Sequence, residues 1–225
     1  MIWPILLFGL GLRLISLNQS LWMDEAISAL AVKTNSLVEL ISKFALGDTH
    51  PPFYYLLLKT WTLIFSYSEI SLRLPSVILG VATVYVVCLI GKKIAGEKLG
   101  IISALFLATS GLHLYYSQEA RMYALSTFAV SLTVYFFLKV REKAKQTNWV
   151  FLSLSLLLVG LSDYLPLLII PALWIWGLLS KKNRQWWKKF LLSYLPLAIF
   201  VFLWSPIFRA QSISTKNYLQ VFPAW

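Results

Sequence analysis

The sequence predicts an all-α, polytopic membrane protein. Three observations predict it: seven long apolar runs, a strongly apolar composition, and bases gathered in the breaks after alternate runs. Of 225 residues, 59% are hydrophobic and 13% charged, and the mean hydropathy is +0.72. Such a mixture is too apolar for the surface of an ordinary soluble domain. Lipid must be the main solvent. Inside lipid every backbone N–H and C=O has to find a partner within the protein, so continuous apolar runs read as helices, whereas barrel strands would alternate.

The runs are Ile2 to Leu17, Pro75 to Ile90, Leu99 to Tyr116, Met122 to Leu138, Trp149 to Leu161, Leu165 to Leu179 and Phe190 to Phe208. Several lie near the lower limit of roughly 17 residues for a spanning helix, so their ends borrow flanking residues. The first is apolar except for Arg13 and Ser16. It lacks a basic leader and a small-residue cleavage site, and reads as a retained span rather than a cleaved signal peptide. Residues 1–225 form one transmembrane domain in this reading, with a first extracytoplasmic loop over 18–74.

Three breaks hold Lys92, Lys93 and Lys98, then Lys139, Arg141, Lys143 and Lys145, then Lys181, Lys182, Arg184, Lys188 and Lys189, together 12 of the 20 bases. They follow alternate spans, which places the N-terminus in the cytoplasm and the protein in the cell (plasma) membrane. Of the 9 acids, only Glu97 and Glu142 share that side; Asp24, Glu25, Glu39, Asp48, Glu69, Glu119 and Asp163 fall on or near the other. The net charge of +11 therefore reflects topology and not a nucleic-acid partner, because the bases line no polar face. Cys88, alone in an apolar run, excludes a disulfide framework or a cysteine metal cluster within the chain.

Within the long loop, Glu25 to Leu46 and Phe53 to Tyr67 carry apolar residues at helical spacing, broken by Gly47, Pro51 and Pro52. Two amphipathic helices along the membrane surface are expected. Pro75 is expected in the first turn of the second span, where its missing N–H costs little. Glu69 and Arg73, four apart, are expected to pair just before it.

Asp24 and Glu25 follow Leu21-Trp22-Met23 and so bring two carboxylates to the outer membrane boundary. The position suits a general base that meets a lipid-borne donor and a water-side acceptor; it equally suits acids favouring the start of a surface helix. Glu119 and Arg121 are wedged between two apolar runs with almost no loop, where ionisable groups are costly and point to function, or else form a local ion pair marking the turn. Glu119 and Tyr123 would share a helix face, and the planar fork of Arg121 could hold a phosphate. His50 precedes Pro51 and Pro52, which stiffen the backbone that presents it, for a phosphate contact, a metal ligand or simple solvation. His113 sits in an apolar run with no obvious partner and reads as structural. Trp22, Tyr115, Tyr116, Trp149 and Trp186, near the ends of the runs, read as an interfacial belt. No Gly-rich phosphate loop or Ser/His/Asp order is present, so a donor would come from the lipid.

Taken in order, Leu12-Arg13-Leu14, Leu21-Trp22-Met23-Asp24-Glu25-Ala26, His50-Pro51-Pro52, Glu69 to Arg73-Leu74-Pro75-Ser76 and Ser117-Gln118-Glu119-Ala120-Arg121-Met122-Tyr123 form a specific set over Leu12 to Tyr164. The set resembles the amino-terminal half of membrane glycosyltransferases of the GT-C fold. Bacterial members of the dolichyl-phosphate-mannose protein mannosyltransferase family, themselves similar to the aminoarabinose transferase of lipid A, are the relatives it suggests. The resemblance implies an inverting transfer of a sugar from a polyprenyl-phosphate donor to a lipid, glycan or protein acceptor on the extracytoplasmic side. It assigns Asp24 as the base, with Glu25 beside it and Glu119 as the second acid, and puts Arg121, His50 and Tyr123 at the departing phosphate. It leaves the sugar and any divalent cation open. Two departures stand out: Asp163-Tyr164 replaces the family's histidine and tyrosine, and the chain stops at Pro223-Ala224-Trp225 where relatives continue with further spans. A truncated, non-catalytic protein that binds lipid phosphate or a partner subunit is the alternative. A small transporter ranks below both, because the acids sit at span ends rather than at mid-bilayer.

Overall fold

A computed structural model of the protein describes residues 2–180 and 182–221, with side chains described as far as Ile213. Lys181 of the third basic break and the closing Pro223-Ala224-Trp225 lie outside these residues. All regular structure among them is helical. Helix α1, Ile2–Leu14, ends in a turn where Ser16 adopts a left-handed φ of 61°. The long first loop folds into α2, Met23–Thr34, α3, Leu37–Glu39, a π-helical turn, Leu40–Phe44, α4, Ala45–Gly47, and α5, Phe53–Thr62. The bundle continues with α6, Glu69–Thr109, α7, Gly111–Ser117, α8, Tyr123–Glu142, and α9, Gln146–Ser162. A 3-10 turn, Leu165–Leu168, leads into α10, Ile169–Leu179, then α11, Arg184–Ser193, and α12, Leu195–Val221.

The first loop helix expected from the sequence is broken into pieces. Ser36 accepts from the Glu39 N–H while the Glu39 carboxylate accepts from the Ser36 N–H, a reciprocal cap that starts a new helix after Asn35. The second ends at Thr62 and does not continue to Tyr67. Along α2, Met23, Ile27 and Leu30 recur at helical spacing and stay exposed, while Glu25, Ser28 and Val32 are buried.

Helix α6 contains two of the apolar runs. A straight helix of its 41 residues would be about 60 Å long, twice the roughly 30 Å hydrocarbon core. Instead it breaks at Ala95 and Gly96, and the Gly96 φ of 84° is the left-handed conformation that glycine adopts without strain. The halves then fold together. A Cβ on Gly91 would stand 2.8 Å from the Gly100 Cα, a contact that two residues nine apart on one straight helix could not make. Val84 and Cys88 from one arm share a core cluster with Ala104 and Ala108 from the other and with Leu6 of α1. Pro75 sits in the second turn of α6 and not in the first. The Ser71 carbonyl that Pro75 cannot serve accepts instead from the Trp61 indole N–H at 3.0 Å, which repairs the ladder.

The bundle is polarised. Lys93 of the α6 hairpin pairs with Glu142 at the end of α8; Lys182 donates to the Arg141 carbonyl at 2.6 Å, and Arg141 Nε donates to Ser180 at 2.9 Å. All three basic breaks thus meet at one end. Three helical segments, Glu69–Thr109, Tyr123–Glu142 and Arg184–Ile213, are long and apolar enough to cross a membrane, with Ile2–Leu14, Gln146–Ser162 and Leu165–Leu179 as shorter apolar helices. Phe106, Leu179 and Phe202 project outward and stay exposed, as side chains facing hydrocarbon do.

The hairpin gives a direct test. A Cβ on Gly100 would lie 2.6 Å from the Cys88 carbonyl oxygen, so Gly100→Val is expected to cost about 1–3 kcal/mol or more by overpacking. Gly11, with nothing within 4 Å, is the control: Gly11→Ala should gain up to about 1 kcal/mol. Thermal unfolding of both variants in detergent measures the contrast.

Candidate functional site

Opposite the basic end, one buried ion pair holds three chain segments together. Arg73, near the start of α6, donates from Nε to Glu25 Oε1 at 2.8 Å and from Nη2 to Oε2 at 2.5 Å. Its Nη1 donates to the Leu17 and Gln19 carbonyls, both at 2.7 Å, and Nη2 to the Ser20 carbonyl at 3.3 Å. All five guanidinium donors are used. Glu25 in turn accepts from the Ala120 N–H at 2.9 Å and, weakly, from the Trp22 N–H at 3.4 Å, which places the turn between α7 and α8 against the start of α2. Arg73 pairs with Glu25 across the loop, and not with Glu69 as expected from the sequence, because Glu25 offers a bidentate, desolvated partner. The left-handed Ser16 turn presents the carbonyls that Arg73 binds, and the Gln118 amide holds the same turn through the Arg13 and Ile15 carbonyls at 3.2 and 2.7 Å.

Asp24, the neighbour of Glu25, is half-buried, and its carboxylate has no hydrogen-bond partner among the described residues. Its charge acts on Glu119, Arg121 and Tyr123. Glu119 lies in the turn ahead of α8, so it does not share a helical face with Tyr123. It is buried, lines a cavity of about 530 Å³ with Trp22, Glu25, Arg73, Tyr115 and Gln118, and neither of its oxygens has a partner of good hydrogen-bond geometry. Burial pushes its pKa up, the Tyr115 hydroxyl pulls the other way, and the charges of Glu25 and Asp24 raise it further.

Arg121 points to the other side of the same turn. Its Nη1 donates to the Tyr55 hydroxyl at 2.9 Å and reaches Ser28 at 3.5 Å, while Nε is buried without a partner. Tyr123 lies against it, and Tyr123 also packs on Tyr116 with ring centroids 4.8 Å apart. Tyr55 in turn borders Asp48. Asp48 accepts from the Thr49 N–H at 2.8 Å and meets His50 Nδ1 at 3.4 Å. Burial acts to raise the Asp48 pKa, but hydrogen bonds from His50, Tyr55 and the Thr49 N–H hold it below the usual carboxylate range. The ion pairs among the described residues are Lys43–Glu39, His50–Asp48, Arg73–Glu25, Lys92–Glu97 and Lys93–Glu142. Arg121 is in none of them, and is a buried cation touching only hydroxyls.

The structure brings Asp24, Glu25, Glu119, Arg121 and Tyr123 to one end of the bundle and links His50 to them through Asp48 and Tyr55. It divides them between two neighbouring clusters: Glu25 and Glu119 line the cavity, whereas His50, Arg121 and Tyr123 do not. Among the described residues no group of three or more His, Cys, Asp or Glu side chains is arranged to hold a metal ion.

Several contributors escape sequence reasoning. Tyr55 and Ser28 look like ordinary members of amphipathic helices. Gln211 of α12 donates to the Ala45 and His50 carbonyls at 2.7 and 3.2 Å and accepts from the Tyr164 hydroxyl at 2.6 Å, which joins the Asp163-Tyr164 turn to the site. His113, expected without a partner, meets Arg13 at 2.6 Å through Nδ1. The one signal available was that both are polar intruders in apolar runs.

Arg73→Met should destabilise by about 3–5 kcal/mol, since it strands the Glu25 carboxylate in the interior. Glu119→Gln should do the reverse at neutral pH by removing a buried carboxylate without a good partner. Because the folded-state pKa of Glu119 is raised, its ionisation penalty is fully present above that raised value and fades as pH falls to the ordinary carboxylate range. The Tm gain of Glu119→Gln over the parent should shrink in the same direction, which unfolding curves across pH will show.

Comparison with protein families matches residues 49–208 to the family described as dolichyl-phosphate-mannose-protein mannosyltransferase. The matched stretch contains His50, Arg73, Glu119, Arg121 and Tyr123, with Asp24 and Glu25 ahead of it. No curated protein sequence matches the chain. With most of its length covered, the chain belongs to the dolichyl-phosphate-mannose-protein mannosyltransferase family, membrane glycosyltransferases of the GT-C type.

Proposed function

We propose that the protein transfers a sugar, with inversion, from a polyprenyl-phosphate donor to a lipid, glycan or protein acceptor at the extracytoplasmic face of the plasma membrane. In this reading the seven apolar runs make about seven crossings, the basic end lies in the cytoplasm with the N-terminus, and the loop helices rest on the outer surface. The observation that carries the proposal is two opposite charges without close partners at one end of the bundle: Arg121, a buried cation that no carboxylate meets at ion-pair distance, and Asp24, a carboxylate that accepts no hydrogen bond among the described residues. Asp48 and Asp24 act on Arg121 only from beyond ion-pair distance, so its guanidinium keeps a donor for a further anion, and a lipid-linked phosphate supplies one.

Asp24 takes the proton of the acceptor hydroxyl as its oxygen attacks the anomeric carbon from the face opposite the phosphate. The bond from that carbon to the phosphate oxygen breaks, polyprenyl phosphate departs with the bonding pair, and the configuration inverts. Arg121 and Tyr123 stabilise the charge that develops on the phosphate, with His50 at the rim, held by Asp48. Glu25 is already saturated, so it positions Asp24 and the Ala120 turn and does not touch the reacting atoms. Glu119, the second acid, borders the neighbouring cavity, which Asp24, His50, Arg121 and Tyr123 do not line.

Membranes containing the protein, incubated with radiolabelled polyprenyl-phosphate sugars, should transfer label, and Asp24→Asn should lower transfer about 10²–10⁴-fold with donor retention intact. Arg121→Gln should weaken donor retention as well as transfer. Equal transfer by Asp24→Asn and the parent would remove Asp24 from the mechanism. Retention of donor with no transfer by the parent would leave a binding protein.

A further inference from the structure

The basic end carries a second site unconnected with the chemistry above. Between the ends of α8 and α11 lies a basin of about 490 Å³ lined by Arg141, Lys182, Lys189, Asn183 and Trp186. The Arg141 guanidinium is oriented from two sides: Nε donates to Ser180 at 2.9 Å, and the group stacks over the Trp176 ring at 4.8 Å. Its Nη1 and Nη2 have no partner among the described residues. Lys182 is fastened at the same basin by donating to the Arg141 backbone carbonyl at 2.6 Å, so two cationic side chains line it without an acid of their own. Lys189 forms no ion pair or hydrogen bond among the described residues. Glu142, the one acid on the rim, is engaged by Lys93.

Lys189 also belongs to an apolar groove of about 280 Å³ between α9 and α11, lined by Trp149, Val150, Leu154, Leu192 and Pro196. The rings of Trp149 and Trp186, 5.5 Å apart, stand between basin and groove. Val150, Leu154 and Leu192 are exposed along the groove, on the surface that faces hydrocarbon. A ligand that fills both spaces needs a phosphate-like head and an apolar tail. We infer that basin and groove together bind one anionic glycerophospholipid, its phosphate between Arg141, Lys182 and Lys189 and an acyl chain along the groove.

The test uses the full chain in nanodiscs of phosphatidylcholine alone or with phosphatidylglycerol, read by native mass spectrometry and by Tm. Phosphatidylglycerol should be retained preferentially and raise Tm. Lys189→Gln, which breaks no internal contact, should lower retention about fivefold, the equivalent of one surface charge, and Arg141→Gln with Lys189→Gln should lower it further. Lys143→Gln with Lys145→Gln, on the same end but outside the basin, should leave retention unchanged. An equal loss in that control would reduce the effect to general surface charge and overturn the site. Inorganic phosphate added to phosphatidylcholine discs should leave Tm unchanged; a shift matching that of phosphatidylglycerol would overturn the lipid assignment in favour of a free anion.

Discussion

The Glu25–Arg73 pair is the constraint on which the end of the bundle opposite the basic breaks rests. A buried guanidinium with five donors needs acceptors at five fixed directions, and it finds them in one carboxylate and the carbonyls of Leu17, Gln19 and Ser20. Satisfying them fixes the exit of α1, the start of α2 and the start of α6 relative to one another. Through the Ala120 N–H the same carboxylate fixes the turn that carries Glu119 and Arg121. Either member alone would be a buried, unpaired charge, so the geometry is all or none.

That arrangement divides two adjacent acids into different roles. Glu25 faces inward on the first turn of α2 and is consumed by structure. Asp24, one residue earlier, is rotated by about 100° around the helix and keeps its carboxylate unpartnered. The same division separates Arg73 from Arg121. One is saturated; the other rests on the hydroxyls of Tyr55 and Ser28 with a donor to spare. The framework charges are thus spent on each other, whereas Asp24 and Arg121 meet no opposite charge at ion-pair distance among the described residues.

The two ends of the bundle use charge differently. At the end opposite the basic breaks, charges are desolvated and tied into a network that fixes the loop helices and turns relative to one another. At the basic end they are partly or fully exposed lysines and an arginine held by Trp176 and Ser180, which keep long apolar stems against the helices and charged tips toward the surface.

The sequence by itself determined the all-helical class, the segregation of bases from acids, and which polar residues are out of place in apolar surroundings. Those properties depend on local composition and spacing, which lipid as a solvent makes decisive. Glu119 and Arg121 stood out as ionisable groups wedged between apolar runs, Asp24 by its place just after the first span, and His50 by the two prolines that follow it. Tertiary structure alone decided the partners. Arg73 chose Glu25 over the nearer Glu69, Arg13 met His113, Gln211 reached His50, and the hairpin that the basic break at Lys92 to Lys98 foretold was sealed by Gly91 against Gly100. Sequence spacing measures distance along the chain, whereas a buried charge is satisfied by whatever acceptor packing delivers, and only the folded bundle specifies that.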